Sequence, residues 1–117
     1  MWDPTAAAER LAGAIASEAA EVFVADFDRR ITGFCTVYDE FDSVRFGHRA
    51  WVEDLAVDPQ QRSQGLGKAL LDAAKDWARE RGATHLELDS AETRADAHRF
   101  YEREDPSWKS VSFGWLL

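Results

Sequence analysis

A short stretch near the middle of the chain carries residue types that bind anions. Residues 62–68 read Arg-Ser-Gln-Gly-Leu-Gly-Lys, and an apolar helical pattern begins directly after Gly65. The first amides of a helix have no partner within it, and the helix dipole adds positive charge at that end. Glycine at 65 and 67 removes side chains that would block a close approach to the backbone. This stretch is therefore a candidate pyrophosphate-binding loop.

Spacing excludes two other phosphate-binding motifs at this place. The ATP-type loop requires a glycine where the chain has Arg62, and a serine or threonine where it has Ala69. The dinucleotide fingerprint requires a third glycine, where the chain has Leu70. Its first glycine should also lie close to the preceding strand, but residues 59–64 intervene. A small NAD-binding domain is thus disfavoured.

The third motif, Arg/Gln-x-x-Gly-x-Gly/Ala after a strand with a Val-x-Pro-like end, fits Arg62 to Gly67. On this motif the segment VEDLAVDPQQRSQGLGKALL resembles the acyl-CoA-binding core of the GNAT superfamily of N-acetyltransferases, and most closely its small-polyamine branch. The resemblance covers about residues 19–117. It implies acetyl-CoA as co-substrate, bound through Arg62, Ser63, Gln64, Gly65, Leu66, Gly67 and Lys68.

Acetyl transfer to an amine requires a base, a donor that polarises the thioester carbonyl, and an acid for the leaving thiolate. The resemblance implies that the backbone of Leu55, Ala56 and Val57 receives the pantetheine arm. An N–H in this strand, that of Leu55, is then the candidate donor to the thioester oxygen.

Glu53 stands two residues before Leu55, and the resemblance implies that its carboxylate accepts the amine proton, often through water. The alternative is an exposed strand carboxylate paired with Arg45 or Arg49. In a regular strand Asp54 points to the opposite face, and a bulge would reverse that. Asp54 is therefore the second candidate base.

Tyr101 closes the segment AHRFY, which matches the family's Ala-x-x-Phe-Tyr. The resemblance implies that its hydroxyl protonates the CoA sulfur, whereas the pattern alone favours core packing beside Phe100. The chain departs from the family pattern at two positions. Arg94 replaces a frequent asparagine and is a candidate to bind a CoA phosphate. Asp105 replaces a glycine that would tolerate a left-handed turn better.

The acceptor is less clearly indicated. Asp39, Glu40 and Asp42 are expected in a loop over residues 39–49. Together with Glu53 and Asp54 they fit an acidic mouth for a polyamine, a lysine or another cationic amine, and they fit a solvated loop equally well. Trp51 fits a core position better than an aromatic wall of the acceptor site. We predict acetyl transfer to a primary amine of a small cationic molecule or lysine. The alternative is a non-catalytic acyl-CoA-binding regulatory module.

Composition limits the partners. The chain has 22 acidic and 14 basic residues, a formal net charge of −8, so it lacks the basic footprint that nucleic acid requires. His48, His85 and His98 do not have a metal-ligand spacing, and we expect no metal. The lone Cys35 indicates a buried apolar filler. No leader and no apolar run of about 20 residues is evident, which predicts a cytoplasmic protein without a membrane partner.

The scaffold that must position these residues follows from periodicity. Helices are predicted after Asp3, from Gly65 to Gly82, and over 93–104. Strands are predicted over 22–27, 31–38, up to Asp58, over 84–89, and over 111–117. We predict one domain over residues 1–117, of the α/β (α+β) class.

The resemblance refines this fold to a mixed, mostly antiparallel central sheet flanked by helices and shortened at its N-terminus. A shortened acceptor wall would be completed by a second subunit, which predicts a homodimer. The closing strand, with Trp108, Phe113 and Trp115 nearby, is the predicted edge for this contact.

Overall fold

The structure, a computed structural model, describes residues 2–62 and 64–117. Its helices are α1 (Pro4–Ala16), α2 (Leu66–Glu80) and α3 (Ala95–Arg103), with a short 3-10 turn at Pro59–Gln61. Its strands are β1 (Ala20–Phe27), β2 (Arg30–Ser43), β3 (Gly47–Val57) and β4 (His85–Glu87). Within the described ranges, no helix is long and apolar enough to cross a membrane.

The four strands form one sheet in the order β1-β2-β3-β4. The first three are antiparallel neighbours, and β4 runs parallel to β3. The parallel pair follows from α2, because a parallel connection requires a long crossover. The predicted mixed, mostly antiparallel sheet flanked by helices is confirmed.

Local sequence explains the start of the fold. The carboxylate of Asp3 accepts hydrogen bonds from the amides of Thr5 and Ala6, and Pro4 opens α1, as predicted. A two-residue turn joins β1 to β2. Its residues Asp28 and Arg29 have φ of 52° and 64°, the left-handed geometry that suits the twist of a hairpin.

The core lies between the sheet and the apolar stripe of α2. It is built from the buried residues Cys35, Val37, Val52, Leu70 and Ala74. Burial, with a smaller contribution from Asp54, raises the pKa of the Cys35 thiol to about 12. A thiol in this state is a poor nucleophile, consistent with the predicted filler role.

Two predictions about elements are wrong. Residues 39–43 and 47–49, expected in a loop, continue β2 and β3, so that only residues 44–46 form the turn. The closing strand is absent: residues 104–117 contain no strand, and Val111, Phe113, Trp115 and Leu117 are exposed. Alternation predicts a strand only where a neighbour supplies a ladder, and β4, the edge strand beside this segment, has three residues.

The end of α3 is also informative. Asp105, which replaces the family's glycine, adopts a left-handed φ of 56°. The turn therefore forms without glycine, although with the steric cost of a Cβ.

Candidate functional site

The pairing between β3 and the edge strand β4 ends partway along β3. Their pairs are Arg49↔His85, Ala50↔Leu86 and Trp51↔Glu87, and among the described residues the ladder ends there. Strand β3 continues to Val57 and remains paired with β2 on its other side. Residues 55–57, predicted to receive the pantetheine arm, thus lie where β3 has no neighbour on the β4 side.

A bulge in β3 falls at Glu53. Thr36 pairs with Asp54 and Val37 with Val52, so Glu53 is left between two pairs. The register places Thr36 and Asp54 on one face of the sheet, together with Tyr38 and Trp51, which form the next pair on that face.

Glu53 and Asp54 both have hydrogen-bond partners on this face. Oε2 of Glu53 accepts from the indole Nε1 of Trp51 at 2.6 Å, so Glu53 bonds to neither Arg45 nor Arg49. Oδ2 of Asp54 accepts from the Thr36 hydroxyl at 2.5 Å. The bulge therefore brings both candidate bases to the same face. Trp51 is half-buried at this surface and is not among the buried core residues.

Tyr101 lies on α3, half-buried, with its ring 5.2 Å from that of Phe100. Burial raises the pKa of its hydroxyl, with nearby Arg94 opposing the rise and Cys35 adding to it. The hydroxyl is therefore protonated at neutral pH, which is the state required of a proton donor.

The start of α2 has no side-chain cap in the described residues. Gly65 is the N-cap, with a left-handed φ of 76°, and the first helical hydrogen bond runs from Ala69 N–H to its carbonyl, 3.0 Å away. The amides of residues 66–68 precede that bond. Aspartates cap α1 and the 3-10 turn, and α3 has Asp96 in its first turn. Among the helix starts in the described residues, that of α2 has neither a side-chain cap nor an acidic residue in its first turn, which suits a ligand anion. Ser63 lies outside the described residues.

The two glycines of this loop serve different purposes. Gly65 is required by its left-handed backbone, and a Cβ there would meet nothing within 4 Å. A Cβ on Gly67 would lie 3.3 Å from the Phe100 ring. The absence of a side chain at Gly67 thus lets α3 pack against α2. From the sequence we predicted only that Gly67 allows the close approach of a ligand, and not this packing role.

The cations of the loop are paired with carboxylates. Arg62 bonds to Asp96 at 3.2 Å, and Lys68 bonds to Asp72 at 3.0 Å and to Glu104 at 3.4 Å. Arg94 occupies the N-cap position of α3. The pairs with Asp96 and Glu104 connect the start of α2 to α3 and its C-cap, and within this loop Arg62, Gln64, Gly65 and Lys68 are exposed.

The predicted acidic mouth is not an open cluster. Asp39, Glu40 and Asp42 lie in β2, and each pairs with a cation: Asp39 with His48 and Arg81, Asp42 with His48, and Glu40 with Arg49. The sequence spacing gave no sign of these pairs, because the cations come from β3 and from the end of α2.

A cleft of about 1280 Å³ lies between α2, β4, α3 and the C-terminal segment. Trp51 and Tyr101 line it, whereas the loop over 62–68 does not. Ser90, just after β4, also lines it, and its buried hydroxyl has no hydrogen-bond partner in the described part of the chain. Sequence reasoning missed Ser90, since a serine after a strand is an unremarkable signal.

A strand whose pairing on one side ends partway along it, and which leads through a short 3-10 turn to an uncapped helix start, is the arrangement expected for an acyl-CoA-dependent N-acetyltransferase. The model of the acetyltransferase (GNAT) family matches residues 2–104. The chain therefore belongs to this family. The match includes α1, which the expected range from about residue 19 left out, and stops before the C-terminal segment.

Individual relatives agree with the family. An uncharacterized N-acetyltransferase of Bacillus subtilis, YhdJ, is 37% identical over 93 residues, covering 80% of this chain and 65% of that protein. The aminoalkylphosphonate N-acetyltransferase of Salmonella typhimurium is 36% identical over 77 residues, covering 63% of this chain and 48% of that protein. The chain thus spans less than two thirds of the length of these curated relatives.

Among solved structures, an aminoglycoside acetyltransferase from an uncultured soil metagenomic sample, in complex with trehalose, superimposes with a TM-score of 0.82. It is 27% identical, and the match covers 100% of this chain and 76% of that one.

Proposed function

We propose that residues 1–117 form an N-acetyltransferase domain that moves an acetyl group from acetyl-CoA to a primary amine of a small cationic molecule or lysine. The observation that supports this most is that β3 continues to Val57 beyond its last pair with β4 and then leads toward the uncapped start of α2. One end of β3 then serves both the pantetheine arm and the pyrophosphate.

The donor would bind through backbone groups and cations. The amides of Leu66, Gly67 and Lys68 would hold the pyrophosphate, with Arg62, Ser63 and Gln64 beside them. Arg62 and Lys68 would exchange their carboxylate partners for phosphate oxygens, and Arg94 would reach a further phosphate. The backbone of residues 55–57 would bind the pantetheine arm.

In the transfer step the amine nitrogen attacks the thioester carbon, the N–C bond forms, and the C–S bond breaks. Glu53 accepts the amine proton, directly or through water, and the Leu55 N–H stabilises the charge on the carbonyl oxygen. Tyr101 donates its proton to the leaving thiolate. The raised pKa of Tyr101 supports this role, because the hydroxyl is protonated when the thiolate forms.

We propose that the acceptor amine binds at the face of the sheet that carries Trp51, Glu53 and Asp54. Trp51 with Glu53 and Asp54 offers an aromatic surface beside two carboxylates, chemistry that suits an ammonium group. Two of the three relatives named above are an aminoglycoside and an aminoalkylphosphonate acetyltransferase, which supports an amine acceptor. The small-polyamine branch stays a prediction.

We also propose that the chain forms a homodimer through its C-terminal segment. The exposed apolar side chains of Phe113 and Trp115 support this proposal. The test is argued at the scale of the whole molecule in the Discussion.

The decisive experiment measures free-thiol release from acetyl-CoA with kanamycin, aminomethylphosphonate, spermidine and a lysine peptide. Glu53→Gln and Tyr101→Phe should each lower kcat by about a hundredfold, the usual effect of losing a proton-transfer group. Glu21→Gln, an exposed glutamate of β1, is the matched control and should keep the wild-type rate.

Acetyl-CoA binding is measured in parallel by calorimetry. Binding without turnover of any acceptor would favour the non-catalytic acyl-CoA-binding module. No binding at all would contradict the proposed function.

A further inference from the structure

We propose that Trp51 is a positioning residue for Glu53, and that Arg49 holds the Trp51 indole in the orientation this requires. This inference rests on the proposed function, in which Glu53 is the base, and it adds two residues to the reacting site.

The first step concerns the carboxylate of Glu53. The bulge leaves this residue between two ladder pairs, where its position depends on side-chain contacts as well as on the sheet. Its Oε2 accepts from the Trp51 indole at 2.6 Å. An indole N–H is a donor only, so it fixes the carboxylate without competing for the proton. Oε1 is then free to accept the proton of the amine.

The second step concerns the indole itself. The Arg49 guanidinium carbon lies 5.0 Å from the centre of the Trp51 ring and 5.0 Å from that of Phe41. A cation over a ring face attracts it and limits its rotation.

Arg49 is in turn fixed from both neighbouring strands. It bonds to Glu40 of β2 at 2.9 Å and to Glu87 of β4 at 2.8 Å. These contacts, Glu87 foremost, raise the pKa of Arg49 against the opposing effect of burial. Arg49 therefore joins three strands as a permanent cation.

The third step is the location. Trp51 and Glu87 are the last pair of the β3–β4 ladder, and Trp51 lines the cleft together with Tyr101. The contacts from Arg49 to Trp51 to Glu53 thus run from the paired part of the sheet to the part where the thioester would lie.

A pH titration by NMR tests the contact without an acceptor. The Trp51 indole N–H signal is assigned as the one lost in Trp51→Phe, among five tryptophans. It should shift as the wild-type carboxylate titrates and should lose that shift in Glu53→Gln. A Trp51 signal that does not respond to pH in the wild type would overturn the proposal.

Steady-state kinetics test the role in catalysis, with the panel acceptor that gives the fastest turnover. Trp51→Phe keeps a ring beneath Arg49 but loses the N–H that donates to Glu53. The carboxylate is then less well oriented, and kcat should fall about tenfold at neutral pH. KM for acetyl-CoA should be unchanged.

Trp77→Phe is the matched control, because Arg81 covers that ring at the same 5.0 Å while the ring lies on α2 beside β1. Its kcat and its KM should equal those of the wild type. Full activity of Glu53→Gln would overturn the base assignment and this inference with it. An inactive Glu53→Gln together with an unchanged or raised kcat in Trp51→Phe would overturn this inference alone.

Discussion

The Ser90 hydroxyl, in the wall of the cleft, lowers the stability of the fold. It is buried and, among the described residues, has no hydrogen-bond partner. An unpaired buried hydroxyl costs about 1–3 kcal/mol. Ser90→Ala should therefore raise the free energy of unfolding by about 1 kcal/mol, measured by urea denaturation without ligand.

The exposed Ser107 gives the control, since Ser107→Ala should change stability by less than about 0.5 kcal/mol. A destabilised Ser90→Ala would mean that the hydroxyl has a partner in solution.

For single residues, the sequence was enough to select the candidate carboxylates and glycines, but not to predict which residues they contact. Glu53 and Asp54 could be singled out as carboxylates of one strand, but the bulge that brings them to one face arises from the pairing with β2. Gly65 and Gly67 are indistinguishable in a motif, and the reason for Gly67 is the Phe100 ring, which lies far along the chain. Such contacts depend on tertiary packing, which local spacing does not encode.

At the scale of the elements, side-chain pairs between His48 of β3 and carboxylates of β2 make the stability of the β2–β3 hairpin depend on pH. Both ring nitrogens of His48 contact carboxylates of β2, those of Asp39 and Asp42, and Arg81 of α2 also binds Asp39. The bonds to Asp42 and then Asp39 raise the pKa of His48 above its ordinary 6.5, against a smaller opposing effect of burial.

A pKa that is higher in the folded than in the unfolded state stabilises the fold below about pH 6.5. That contribution is lost as the pH rises through the folded value. The wild type should therefore lose more Tm between about pH 6 and about pH 9 than His48→Gln does. Thermal denaturation at several pH values checks this, and parallel curves for the two proteins would contradict it.

Elements were predictable where a local pattern and a packing partner agree. The stripe of α2 meets the sheet, and both ends of that helix were placed by Gly65 and Gly82. The alternation over 111–117 is as regular as that of a true strand, yet no neighbouring strand pairs with it. Periodicity indicates which face of a segment is apolar enough to be buried. Whether that face is buried depends on a neighbouring helix or strand that packs against it.

At the scale of the whole molecule, exposed apolar side chains favour self-association and the net charge opposes it. Phe113 and Trp115 are 77% and 81% exposed, while Trp108 stacks on Phe46 beside the edge strand β4. The net charge of −8 opposes self-association, and salt weakens that opposition. Apolar burial between two copies is thus favoured increasingly as salt is added.

Light scattering at micromolar concentration should give twice the 13.2 kDa of one chain, with a larger dimer fraction at higher salt. A double variant, Phe113→Ser with Trp115→Ser, should be monomeric, because it removes the apolar area of the proposed contact. Ile31→Ser, an equally exposed apolar residue of β2, is the control and should remain dimeric. A wild type of monomeric mass at every salt concentration would contradict the dimer, and the acceptor face would then have to be complete within one chain.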